Sequence, residues 1–178
     1  SVPPPAPGTS FGSPPDMRGT RMIVLPVQQV LGVLGDPAAE LAFGLRDRTQ
    51  EVTWVFVQEV DEALARSPGV RTTTRGLSVG QFLRAEVQRI GDPLFGQLRR
   101  MGALVNADGV LLPVQAAAVA DAGGGVKIEL SVALIQVRTG RVRWFGVVEG
   151  GAFPAGDPRG LASAVDMLAR TLLWYVGG

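Results

Sequence analysis

The chain has 178 residues, a formal net charge of +1, 46% hydrophobic residues and only 19% charged ones. It contains neither cysteine nor histidine. That excludes thiol nucleophiles, zinc sites of the usual kind, haem ligation through imidazole or thiolate, and every acid–base mechanism that runs on histidine. Lys127 is the only lysine, and the arginines are interspersed with acids, so no basic face for nucleic acid is expected. No apolar run approaches the roughly 18–20 residues of a membrane span.

Residues 1–20 form a proline-rich tail, and residues 21–178 are expected to be a single α/β domain. A segment with so little to bury is extended unless it lies against something. Pro3, Pro4, Pro5, Phe11, Pro14 and Pro15 are therefore candidates for contact with a partner, Phe11 being the apolar anchor, with packing on the chain's own domain as the alternative. The chain begins at Ser1 rather than Met, which suggests removal of an export signal or trimming for expression.

Arg21–Val27 reads as a short buried strand. Gly-Asp-Pro occurs at 35–37, 91–93 and 156–158, a pattern that starts helices because Asp caps free N–H groups and Pro suits the first turn. The first instance predicts a helix over 38–48, weakened by Gly44, with a strand as the rival. Val52–Val57 is β-branched and aromatic, hence strand. A helix over 58–66 stops at Ser67-Pro68-Gly69, and Val70–Thr74 reads as a short strand. Val79, Phe82, Leu83, Val87 and Ile90 predict a helix over 78–90. The second Gly-Asp-Pro starts a helix over 94–105, and the third starts a last helix striped by Leu161, Val165, Leu168, Ala169, Leu172, Leu173 and Val176.

Between them, Asp108–Glu149 reads as three strands joined by turns at Gly123-Gly124-Gly125 and Thr139-Gly140. A two-residue second turn would set Ile135 opposite Trp144 and Leu134 opposite Phe145. One face would then hold Ala133, Ile135, Val137, Val142, Trp144 and Val148, the other Leu130, Val132, Leu134, Phe145 and Val147. Both are apolar, so both need cover, and the hairpin is central. Pro113 predicts an edge or a bulge in the first of these strands.

No catalytic constellation stands out, and no cofactor or metal site is expected. The triple glycine lacks the residues of a phosphate loop and joins strands instead of opening a helix. Asp61 and Glu62 are adjacent on a helix and diverge, and the serines have no histidine to activate them. Arg138, Arg141 and Arg143 cluster at one hairpin tip and Arg99-Arg100 on a helix, candidates for contact with an anion or headgroup. Trp174-Tyr175 closes the last helix, either capping the core or meeting a partner.

The order of elements, with Leu25-Pro26 ending the first strand, Ala107-Asp108-Gly109-Val110 entering a strand and Thr139-Gly140-Arg141-Val142-Arg143-Trp144 at the hairpin, resembles the α/β domain of the TolB amino-terminal, CsgG and LpoB-like envelope proteins. The resemblance spans roughly residues 21–177. Gln136 stands where that pattern often has Asp, and CsgG's membrane-spanning hairpins have no counterpart. The resemblance implies a non-enzymatic, periplasmic, often lipid-anchored accessory subunit, peripheral to a membrane, that binds other envelope proteins. Its host would be a cell-wall, secretion, respiratory or photosynthetic membrane complex. A domain sensing a small molecule or lipid, with its cavity between sheet and helices, is the alternative.

Overall fold

The computed structural model describes residue 8, residues 10–83 and residues 86–176. In chain order its strands are β1 (Ser10–Phe11), β2 (Arg21–Val24), β3 (Gln29–Leu31), β4 (Thr53–Phe56), β5 (Gly109–Ala120), β6 (Val126–Gln136) and β7 (Val142–Glu149). Its helices are α1 (Pro37–Arg46), α2 (Val57–Ala65), α3 (Leu94–Val105) and α4 (Pro158–Leu172). One mixed sheet runs β1-β7-β6-β5-β2-β4, with β3 beside the distal half of β5. β2 and β3 lie parallel to β5, and β5, β6 and β7 form the antiparallel meander that the alternating apolar runs predict.

Both faces of the meander are apolar and both are covered. Ala133, Ile135, Val137, Val142, Phe145 and Val147 pack with α2 and α3 through Val60, Ala63, Leu94, Leu98 and Met101. Leu130, Val132, Leu134 and Trp144 pack with α1 and α4 through Leu41, Leu45, Leu161, Val165 and Leu168. The fold is thus an α/β sandwich with two helices on each side of the sheet.

The register of the second hairpin departs from the two-residue turn. Ile135 pairs with Val142, Leu134 with Trp144, and Ala133 with Phe145. A wider turn closes the loop, Gly140 N–H donating to Gln136 O at 2.9 Å, and Arg143 is an extra residue on β7. A bulge residue reverses the alternation of everything after it. Trp144 and Val148 therefore lie on the α1/α4 side, and Phe145 and Val147 on the α2/α3 side, opposite to the assignment that regular alternation gives.

Pro113 lies in a central strand, not at an edge. It carries the other expected device, a bulge, with the register shifting between Pro113 and Gln115. Its carbonyl still serves the sheet by accepting the Gln28 N–H at 3.0 Å. Two further expectations fail. Val70–Thr74 forms no strand, and among the described residues of 78–90 the one helical stretch is a 3-10 turn, Gly80–Leu83. The reason lies outside the segment. Val142 N–H donates to Gln88 O and Ile90 N–H to Gly140 O, both at 2.9 Å, so the β6–β7 loop holds residues 88–90 extended as Phe82 and Ile90 reach the core.

Asp36 caps α1 by accepting from Ala38 N and Ala39 N, and Asp157 caps α4 by accepting from Arg159 N. Asp92 works one step removed. The Asp92–Pro93 peptide is cis, α3 begins at Leu94, and Asp92 Oδ1 accepts from Gly96 N at 3.0 Å.

Gly44, unfavourable for a helix by composition, is required by packing. A Cβ there would collide with Val165 Cγ1 on α4. Gly44→Ala gains roughly 1 kcal/mol of helix propensity but incurs about 1–3 kcal/mol of overpacking against a stiff β-branched side chain. Urea unfolding is expected to show a net loss of up to about 2 kcal/mol. In a Val165→Ala background the same change should be neutral or stabilising, and a loss of equal size there would remove the packing explanation.

Candidate partner-binding surface

The most developed surface feature joins the two ends of the chain. α4 is amphipathic, and its stripe continues to Leu173, which is 3% exposed and closes the α1/α4 core. Leu173 and the half-buried Tyr175 cap that core, whereas Trp174 faces outward. Tyr175 is half-buried and Trp174 is 57% exposed. Their rings meet edge to face at 5.2 Å and 83°, the arrangement that the ring quadrupoles favour.

The tail lies across this corner. Trp174 Nε1 donates to Pro14 O at 3.0 Å. Met17 inserts into the α1/α4 core, 2% exposed. Arg18 lays its guanidinium 4.9 Å from the centre of the Tyr175 ring while its Nε donates to both oxygens of Asp16 at 2.9 Å. That hydrogen bonding holds the Asp16 carboxyl below its ordinary range, and burial pushes the Tyr175 phenol up.

Further back, β1 pairs antiparallel with β7, Ser10 opposite Gly146 and Phe11 opposite Phe145. Phe11 packs on the α2/α3-side core, so the tail's one aromatic anchor is engaged by its own domain. The backbones approach closely at Gly12, where φ is 73° and a Cβ would stand 2.6 Å from Arg143 O. Only glycine suits both conditions. A cavity of about 370 Å³ lies between tail and sheet, walled by Ser10, Pro14, Trp144, Gly146 and Thr171. Another of about 160 Å³ is bounded by Pro15, Met17, Met22, Leu134 and Arg143.

Of the residues singled out from sequence, Pro14, Pro15, Arg143, Trp174 and Tyr175 are thus brought near one seam, whereas Phe11 packs on the other side of the sheet. Arg138 and Arg141 are not brought there; they sit in the β6–β7 loop beside Arg89. Pro3, Pro4 and Pro5 lie outside the described residues. Phe43 was missed. It is 79% exposed on α1, on the outer side of the helix pair that also presents Met167, 39% exposed, on α4. Its spacing from Leu41 and Leu45, off the inward stripe, was the available signal.

Apolar side chains pack the centre of both sheet–helix layers, and a cavity of about 250 Å³ lies between β5, β6 and the start of α4, lined by Ala118, Val126, Ile128 and Leu161. Leu98, Met101, Val110, Leu112 and Ala133 on one side and Leu45, Leu130, Val132 and Leu168 on the other are fully buried. Among the described residues, no group of three acidic side chains is placed to hold a metal ion, and no helix is long and apolar enough to cross a membrane.

A mixed sheet ending in an antiparallel meander, with paired helices on each face, is the class of fold that these elements define. PelC from Paraburkholderia phytofirmans, solved as a dodecamer, shares it at 16% identity over 92% of this chain and 93% of that one, with a TM-score of 0.50. The LpoB C-terminal domain from Salmonella enterica is also similar, 20% identical over 77% of this chain and 86% of that one, with a TM-score of 0.48. A lipoprotein from Neisseria meningitidis is 13% identical over 78% of this chain and 84% of that one, with a TM-score of 0.45. No family model and no curated protein sequence matches the chain.

Proposed function

We propose that this chain is a non-catalytic accessory subunit of the bacterial envelope, periplasmic and peripheral to a membrane, that binds a larger membrane or envelope protein assembly at the seam between its tail and the end of α4. The observation that carries this reading is Trp174. Its indole is 57% exposed, yet fixed by the hydrogen bond to Pro14 O and by the edge of Tyr175. A large aromatic held in one orientation loses little freedom on docking and buries much area, the property of residues that dominate protein interfaces. Phe43 on α1 and Met167 on α4 are further apolar side chains exposed on the helices of this side of the sheet.

Affinity capture of the chain from gently solubilised membranes, with mass spectrometry and crosslinking from the tail, tests this. A stoichiometric set of membrane-associated proteins crosslinked near residues 14–18 is the expected result. Trp174→Ala should lose the set, with affinity falling about thirtyfold, about 2 kcal/mol, and an unchanged melting curve. Trp174→Phe keeps an aromatic but not the Pro14 bond, so an intermediate loss reports the share due to fixation. Capture indifferent to Trp174 would sink the seam. Mass photometry of the purified chain belongs beside it, since the PelC structure is a dodecamer.

A further inference from the structure

The β6–β7 loop gathers positive charge in a way that its sequence only half discloses. Arg138 and Arg141 are exposed on the loop, and Arg89, from a segment that was expected to be helical, is bridged to Arg141 across the backbone. Phe95 of α3 closes on the same turn: a Cβ at Gly140 would stand 3.1 Å from its Cδ1. Arg99 lies over that ring, its guanidinium 5.9 Å from the centre. Four arginines thus surround one turn. Among the described residues none of the four has a carboxylate within ion-pair distance, whereas Arg18, Arg21, Arg48, Arg75, Arg159 and Arg170 each do. The acids nearest in sequence are Glu86 and Asp92, and Asp92 Oδ1 is occupied by Gly96 N–H. Like charges fixed together by backbone bonds repel until an anion joins them.

We propose that this arginine cluster rests on an anionic lipid surface, its guanidiniums on headgroup phosphates. Two features favour a lipid surface over an acidic protein. The four arginines are all exposed around a turn whose backbone is held against Phe95 and Ile90, matching a plane of many anions more than one small ligand. Among the described residues, none of the exposed large apolar side chains belongs to the loop or to α3. A protein interface takes most of its affinity from such anchors, whereas basic residues at an anionic bilayer act through charge alone. The contact adds a membrane-facing side to the accessory-subunit reading but rests on different residues, so capture through Trp174 can succeed where lipid binding fails, and the reverse.

The test is sedimentation of the purified chain with phosphatidylcholine vesicles made with and without phosphatidylglycerol. Binding to the anionic vesicles only, weakened by added salt, is expected. Arg138→Gln/Arg141→Gln and Arg89→Gln/Arg99→Gln should each reduce partitioning by about fivefold per arginine removed. Arg159→Gln/Arg170→Gln, an equal change of charge on α4, should retain most of it. Equal loss in all three double variants would reduce the effect to net charge and overturn the proposal. So would binding to uncharged vesicles, or no vesicle binding at all. Loss of captured proteins, not lipid, in the loop variants would assign the cluster to an acidic protein and overturn it equally.

Discussion

Gly150→Ala is expected to destabilise the domain by about 2–4 kcal/mol, the range of severe overpacking in a site that cannot relax. Gly150 follows β7 where the chain turns towards α4. A Cβ there would meet Ser163 Oγ and stand 2.7 Å from Ala164 N and 2.9 Å from Gly160 O. The last two are backbone atoms inside a helix and cannot rotate aside. The same corner is tied by Gly150 N–H to Ile128 O at 3.0 Å, Gly151 N–H to Ser163 Oγ at 3.0 Å and Ser163 Oγ to Gly160 O at 2.8 Å. Accommodating a methyl group means lifting the start of α4 off the sheet and weakening those bonds. For a chain of this size the loss corresponds to a melting temperature lower by about 5–15 °C. Gly151→Ala, one residue on, meets only the ring of Phe153, 3.2 Å away, and should cost less than about 1 kcal/mol. Calorimetry of the two variants side by side makes the comparison; equal, small effects would mean that the corner yields.

The second large effect concerns the bulge at Arg143. Trp144 is 2% exposed and faces α1 and α4 beside Leu134. Truncating it should cost about 3–5 kcal/mol. The informative measurement is the double-mutant cycle. Trp144→Ala with Leu134→Ala should be non-additive by about 1 kcal/mol or more, because the two are cross-strand partners on one face. Trp144→Ala with Ile135→Ala should be close to additive, because the bulge puts those side chains on opposite faces. A regular two-residue hairpin predicts the reverse pattern, so chemical denaturation of the five variants decides between the registers.

Much of the fold is legible in local pattern. The strands from Gly109 to Glu149, the helix over Leu94–Val105 and the apolar stripe of α4 follow from periodicity. Two of the three Gly-Asp-Pro starts follow from capping chemistry, which acts within a few residues. The need for cover on both faces of the meander follows from its having no polar face.

The candidate surface was legible only in part. Composition marked the proline-rich tail, the arginines and Trp174-Tyr175 as separate features. Nothing local says that Pro14 lies under Trp174, because residues 160 positions apart meet only once the sheet is assembled. The same limit explains Arg89, whose segment has helical spacing yet is held extended by the β6–β7 loop.

By itself, then, the sequence determined which residues alternate, which turn and which stripe a helix, and hence a helix-covered α/β sheet without cysteine or histidine. Tertiary structure alone decided which face Trp144 occupies, why Gly44 and Gly150 must be glycine, and which arginines share a turn. Periodicity and capping are set by neighbours along the chain, whereas a bulge, a close approach of backbones or a cluster of like charges is set by partners that only folding supplies.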